Sequence, residues 1–278
     1  MDSRVKGQQS MDYMNTNRAL WDEITPIHAR SAFYDLEGFK RGRSGLAPLD
    51  LEELGNDMTG RSLLHLQCHF GMDTLAWARL GASVTGIDFS EKAIALAQSL
   101  AQELGLDARF VCSNVYDLPS VLSGQFDIVY TGVGAICWLP DIRRWAEIVA
   151  HYLKPGGTFY IRDVHPVLQA CESKPETQEY KLIYPYFQGQ EPLKFEDEGD
   201  YADPDARVSS ASYEWIHSLG SITTALIQAG LTIEFLHEFP VCEWQALPFL
   251  QRGADGLWHI PADHVPIPLT FSIKATKH

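Results

Sequence analysis

A chain of 278 residues, 45% apolar and 11% aromatic, has the length and composition of a packed globular protein rather than of a disordered segment. Its formal charge is −14 and Lys and Arg are nowhere gathered into a stripe, which argues against nucleic acid and anionic membrane as partners. "MDSRVKGQQS" lacks the apolar stretch of a secretory signal, "IVYTGVGAICWLP" is too short to span a bilayer, and five scattered cysteines without C-x-x-C spacing suit a reducing compartment; a soluble, cytoplasmic monomer or homodimer is expected.

The first 60 residues contain an amphipathic helix around "NRALWDEITPIHARSAFY", a helical cover for the core. From Leu63 onward, short runs rich in Val, Ile and Phe alternate with helical patterns, the signature of βαβ units on a parallel sheet. "SLLHL" (62–66) reads as the first strand, "MDTLAWARL" as a helix stopped by Gly81, and "SVTGID" (83–88) as the second strand. Ser90 caps the helix "EKAIALAQSLAQEL", which closes at Gly105; "ARFVC" (108–112) and "FDIVYT" (126–131) are the third and fourth strands. Asp141 caps a helix with Ile142, Trp145, Val149 and Tyr152 at helical spacing, "KPGG" (154–157) ends it, and "TFYIRD" (158–163) is the fifth strand.

Residues 166 to 215 break this rhythm, with six acids in "FEDEGDYADPD" and the aromatic group Tyr184, Tyr186, Phe187, Phe195 and Tyr201, a segment long enough to be an inserted cap or lid. A last helix, "SITTALIQAG", then leads to a sixth strand, "LTIEFLHE", and "IPLTFSIKA" is a seventh. The fold class is therefore α/β: one domain over residues 1–278, with a cover (1–60), a core (61–165), a cap (166–215) and the closing helix and strands (216–278).

In an open parallel sheet, ligands bind beyond the carboxyl ends of the strands where strand order reverses, which nominates residues 67–71, 88–90, 114–116 and 131–138. Asp88 ends the second strand about 20 residues after the first loop, the place from which a carboxylate accepts both hydroxyls of an adenosine ribose; as a helix cap it is less well placed than Ser90. Phe89 can lie against adenine or in the core, and "SNVYDLP" offers the amide of Asn114 with backbone groups at Val115 and Tyr116. His65, Cys68 and His69 fall within five residues, yet a strand position followed by a turn does not converge on one ion and no fourth ligand is near in sequence, so no metal is expected.

The succession "LLHLQCHFG", "VTGIDFS", "FVCSNVYDLP", "FDIVYTGVGAICWLPDI" and "HYLKPGGTFYIRD" resembles the class I S-adenosylmethionine (SAM)-dependent methyltransferase family over about residues 60 to 165, and "AGLTIEFLHEFP" and "IPLTFSIKA" resemble that family's last helix, sixth strand and antiparallel seventh strand. The resemblance implies a Rossmann-like, seven-stranded, mostly parallel sheet with helices on both faces and a site for SAM, released as S-adenosylhomocysteine. It implies that Asp88 holds the ribose, Phe89 flanks adenine, Asn114 meets the adenine amine where an aspartate is usual, and the Thr131 carbonyl meets the methionine ammonium. Residues 67 to 71, with Gln67, Cys68 and Gly71, lie under the methionyl part. The departure is in that loop: the usual "DxGxGxG" reads "HLQCHFG", with His65, Gln67 and His69 in place of the acid and two glycines.

SAM has no pyrophosphate for glycines to admit, so side chains such as Gln67 are compatible with its amino acid head group, and an NAD(P)-dependent oxidoreductase becomes the lesser reading. A SAM-binding protein that has lost catalysis is the other alternative. The acceptor is expected to be a small molecule, with His165 after the fifth strand as the base if one is used and Trp21, His28, Trp138 and Tyr186 walling its pocket.

Overall fold

A computed structural model describes residues 3–187, 189, 191–196 and 199–278, with backbone alone over 3–11. Three helices, α1 (Ser3–His28), α2 (Leu36–Lys40) and α3 (Pro48–Leu54), precede the sheet. The βα rhythm then runs β1 (Ser62–Leu66), α4 (Met72–Arg79), β2 (Ser83–Asp88), α5 (Glu91–Leu104), β3 (Ala108–Cys112), β4 (Phe126–Thr131), α6 (Ile142–Tyr152) and β5 (Leu153–Val164). After it come α7 (Pro166–Gln169), the short strands β6 (Leu193–Phe195) and β7 (Ser212–Glu214), α8 (Leu219–Gln228) and β8 (Leu231–Phe239). Three very short strands, β9 (Val241–Cys242), β10 (Gln251–Arg252) and β11 (Trp258–His259), separate β8 from the last strand, β12 (Thr270–Lys277).

The local signals act as expected at most ends. Ser90 Oγ accepts the Ala93 N–H at 3.0 Å, Asp141 accepts the Arg143 and Arg144 N–H groups at 3.1 Å, and Gly105 closes α5 in the left-handed region. "KPGG" behaves differently: it lies inside β5, where the pairing with β4 slips between Phe126 and Ile128, so a bulge rather than a loop opens that strand.

Seven strands form one sheet in the order β3-β2-β1-β4-β5-β12-β8. β12 runs antiparallel to both of its neighbours, from Thr270 opposite Val164 to Thr276 opposite Thr158 on the β5 side. Strand order reverses between β1 and β4, so the crevice lies beyond Leu66 and Thr131, which are themselves paired. Side chains alternate across the sheet: Leu64, Val129, Phe159 and Ile161 pack under α6 and α8, whereas Leu63, Ile128, Tyr130 and Tyr160 pack with Trp77 of α4 and Phe110 of β3.

The expected cap contains α7, β6 and β7, the last two pairing antiparallel from Leu193 opposite Glu214. Unforeseen is the separate small sheet β10-β11-β9, whose neighbours Leu247 and Leu250 share a core with Leu168, Cys171 and Leu269. No helix among the described residues is long and apolar enough to cross a membrane.

A buried charge network fixes α3 to the sheet. Asp50 is 1% exposed and accepts from Arg162 Nε at 2.7 Å, Arg162 Nη2 at 3.2 Å, Tyr130 Oη at 3.3 Å and Tyr160 Oη at 3.2 Å. Glu243 takes the remaining nitrogen, Arg162 Nη1. Removing one member strands a buried guanidinium, so Asp50→Ala is expected to lower unfolding free energy by about 3–5 kcal/mol, measured by chemical denaturation.

Candidate active site

The loop after β1 has the backbone of a glycine loop without its glycines. Gln67, His69 and Gly71 have φ of 58°, 51° and 78°, all in the left-handed region, which costs a non-glycine residue about 1–2 kcal/mol. Hydrogen bonds hold it there: Cys68 N–H donates to Ile87 O at 2.8 Å, His69 N–H to Asp88 Oδ2 at 2.8 Å, and Gln67 Nε2 to Ala135 O at 2.7 Å, joining the ends of β1, β2 and β4.

Only at position 71 is glycine sterically required. A Cβ there would stand 2.7 Å from the Phe110 ring and 3.1 Å from Ala97. Cys68, expected in the loop under the methionyl part of SAM, is buried with its thiol in the core near Gly86, and its N–H is spent on Ile87 O. His65 Nδ1 pairs with Thr74 Oγ1 at 2.8 Å, and burial pulls its pKa down to about 3. His65, Cys68 and His69 thus face three different surroundings.

Asp88 serves the loop rather than the helix. One oxygen accepts from His69 N–H at 2.8 Å and the other from Ser90 N–H at 2.9 Å; burial pushes its pKa up to about 6 against these bonds and that of the Phe89 N–H. Phe89 beside it is half-buried and has no ring partner among the described residues. Asn114 Oδ1 caps the turn after β3 by accepting Tyr116 N–H at 3.0 Å, which leaves its Nδ2 as the outward donor. That bond takes the backbone group expected of Tyr116, and its phenol is bracketed by the Asp141 N–H and carbonyl at 2.9 and 3.0 Å. Tyr116 is therefore a structural brace, and Val115 beside it is core.

Two carboxylates escaped the sequence reading. Asp163, the one acid of "TFYIRD", accepts the N–H groups of Gly134, Ala135 and Ile136 and shapes the loop after β4. Asp73, in the first turn of α4, has no hydrogen bond among the described residues, and a Cβ built on Gly132 would lie 3.5 Å from its Oδ2 and 3.6 Å from His65 Nε2. Burial pushes Asp73 up to about 7. Its neighbouring cations are spent elsewhere, Arg162 on Asp50 and Glu243, Arg43 on Asp35 and the Tyr34 carbonyl. An acid in a helix's first turn reads as dipole compensation, so nothing in the sequence singled it out.

The N-terminal helix closes the site from above. Trp21 lies edge-on to His69 at 5.0 Å and to Trp138 at 5.3 Å; His28 lies 5.1 Å from His69, 5.0 Å from Tyr34 and 4.9 Å from Tyr201. Asp22 accepts from Ser90 Oγ at 2.6 Å, Asn17 exchanges two hydrogen bonds with the Tyr213 backbone at 2.7 and 2.8 Å, and His28 Nε2 lies 3.0 Å from both Asp200 oxygens. Trp21, His28 and Trp138 are brought together as expected. Tyr186 is not: it packs on Phe187 at 4.9 Å, and Tyr201 takes the place in the cluster. Within "FEDEGDYADPD", Asp197 and Glu198 lie outside the described residues, and Asp200 is the acid that reaches the cluster.

His165 stands apart from this cluster. Its Nδ1 accepts Val167 N–H at 3.1 Å, capping α7, and its Nε2 faces Glu238 Oε1 at 2.9 Å. With both ring nitrogens engaged, it has no lone pair for an acceptor's proton, which corrects the expectation from sequence.

Beneath the cover, five buried polar atoms lack a partner among the described residues: Trp21 Nε1, His28 Nδ1, Gln67 Oε1, His69 Nε2 and Thr131 Oγ1. Each costs about 1–3 kcal/mol unless a ligand meets it, so the set fits a polar ligand spanning the ends of β1 and β4. The loop makes a direct forecast. Gly71→Ala is expected to cost more than about 2 kcal/mol through clash and strain, whereas Gln67→Gly changes stability by less than about 1 kcal/mol, strain relief offsetting the lost tether; thermal and urea unfolding measure both.

Residues 63–157 match the model of a family described as methyltransferase domain. The chain is 32% identical over 147 residues to the ubiquinone biosynthesis O-methyltransferase of Bordetella avium, covering 52% of this chain and 60% of that protein. It is also 32% identical over 170 residues to the protein of the same name from Caulobacter vibrioides, covering 58% and 64%. The chain thus spans about three-fifths of the length of these curated relatives. The crystal structure of an S-adenosylmethionine dependent methyltransferase from Mesorhizobium loti superposes with a TM-score of 0.58 at 21% identity, over 86% of this chain and 100% of that one. Sheet order and antiparallel last strand agree with that structure: the chain has its fold, and residues 63–157 within it match the methyltransferase domain model.

Proposed function

We propose that this protein transfers a methyl group from SAM to a small-molecule acceptor. The observation that carries the reading is the left-handed loop 67–71 lashed to the Asp88 carboxylate at the point where strand order reverses. When bound there, SAM supplies an activated methyl group on a sulfonium. The protein's part is to orient it, exclude water and place the acceptor in line.

The Asp88 carboxylate, at the end of β2, accepts from the ribose hydroxyls, and the open face of Phe89 suits adenine. Because Asn114 Oδ1 is committed to its turn, Asn114 meets adenine through Nδ2, donating to a ring nitrogen rather than accepting from the amine. Gln67 Oε1 and the unneutralised Asp73 serve the ammonium with the Thr131 carbonyl, and Gly71 supports the loop from below. The cover of Trp21, His28, Tyr34 and Tyr201 excludes water, and Trp138 walls the acceptor side.

An NAD(P) oxidoreductase is disfavoured because Gln67 and His69 put side chains where a pyrophosphate needs bare backbone. A vestigial site that binds nothing is disfavoured because strain and unpaired polar atoms persist in the site at a cost to stability. The charge of −14 favours a small molecule over nucleic acid or membrane, and free cysteines favour the cytoplasm; a monomer or homodimer is the proposed assembly.

Calorimetric titration is expected to give binding of S-adenosylhomocysteine and none of NAD; binding of NAD alone would overturn the reading. The affinity for S-adenosylhomocysteine is expected to fall as pH drops from about 8 to about 5.5. The ligand needs both acids ionised, and burial raises the pKa of Asp73 to about 7 and that of Asp88 to about 6, so each is half-protonated there. Asp73→Asn weakens binding roughly tenfold and removes the upper part of that decline, which titrations across the pH range measure.

A further inference from the structure

We propose that His28, held by Asp200, is the base that takes the proton of the acceptor, and that the acceptor is a hydroxyl on a planar aromatic ring. The inference rests on the methyltransferase reading above and goes beyond it in naming the base and the acceptor class.

His28 is the last residue of α1, and its side chain is fully buried. The Asp200 carboxylate, 6% exposed, lies 3.0 Å from Nε2 through both oxygens, so Nε2 carries the hydrogen and Nδ1 keeps the lone pair. Nδ1 is buried without a partner among the described residues. An imidazole whose far nitrogen is fixed by a carboxylate and whose near nitrogen is an unmet acceptor has the arrangement of a general base.

The other histidines do not compete for the role. His69 also has an unmet Nε2, but no carboxylate backs it, and burial with the nearby His28 holds its pKa well below the ordinary value. His65 is bonded to Thr74, and both nitrogens of His165 are engaged.

The base sets the acceptor class. A neutral amine or a carboxylate has a lone pair ready for attack, whereas a weakly acidic hydroxyl must lose its proton as its oxygen closes on carbon. The walls around His28 set its shape: Trp21, Tyr34, His69 and Tyr201 present ring faces and edges at 5.8 Å or less. Such surroundings select a flat ring over a flexible alkyl alcohol.

In the step, the hydroxyl proton moves to His28 Nδ1 and the resulting imidazolium pairs with Asp200. The oxygen's electron pair forms the new O–C bond while the C–S bond breaks, its pair remaining on sulfur. The products are an aryl methyl ether and S-adenosylhomocysteine, and the proton passes from His28 to water as the products depart. The dyad joins two distant segments, α1 and the insertion, separated by 172 residues. The base therefore depends on the packing of α1 against the insertion.

The test uses the full chain with His28→Gln and Asp200→Asn, two catechols as probes, one plain and one nitro-substituted and so already ionised at the assay pH, and a primary arylamine. Both variants are expected to bind S-adenosylhomocysteine within about threefold of the parent and to lose roughly 10²–10⁴-fold of homocysteine-linked turnover on the plain catechol. Most of that loss should vanish on the nitrocatechol, which needs no base. An equal loss on both catechols, or arylamine turnover above catechol turnover in the parent, overturns the proposal, as does a collapse of S-adenosylhomocysteine affinity in both variants. If the parent itself binds no S-adenosylhomocysteine, the methyltransferase reading fails first.

Discussion

The bond from His69 N–H to Asp88 Oδ2 is the contact on which the rest of the site depends. It spans two adjacent strands at their carboxyl ends and holds a loop whose backbone, at Gln67 and His69, a non-glycine residue adopts only under strain. From that fixed loop, Gln67 reaches the segment after β4 and His69 reaches the aromatic cover. A glycine loop would present backbone alone; here the same path also carries side chains into the site.

Asp88 was legible in the sequence because a strand end, a spacing and a following Ser90 cap all point to one position. The α/β rhythm and the helix caps were legible for the same reason, since local patterns determine them. The need for glycine at 71 but not at 67 or 69 was not legible, because it depends on the Phe110 ring, which arrives from β3. Asp200 and Tyr201 were hidden in an acidic, aromatic stretch where Tyr186 looked equally suitable; only the folded path of the insertion distinguishes them. His165 shows the opposite failure. Its place after β5 was read correctly, but its partners, Glu238 and Val167, are set by the neighbouring strand and the turn.

Charge is managed differently in the two halves of the crevice. Arg162 is surrounded by Asp50, Glu243 and the Tyr130 and Tyr160 hydroxyls, a closed group whose function is to fix α3. Asp73 stands next to that group and is left out of it. A carboxylate that the protein does not neutralise is a place where a ligand can supply the missing charge, and the stability forgone there is recovered on binding.

β12 has a consequence for how the molecule is made. It pairs with β5 across more than a hundred residues of intervening chain and separates β5 from β8. Until β12 docks, β5 is an open edge carrying Phe159, Tyr160 and Ile161, residues that pair readily with any other extended chain. Such long-range closure is slow. The interval before the sheet is sealed is therefore when the nascent protein is most exposed to aggregation, and when a chaperone that shields strand edges would most affect its yield.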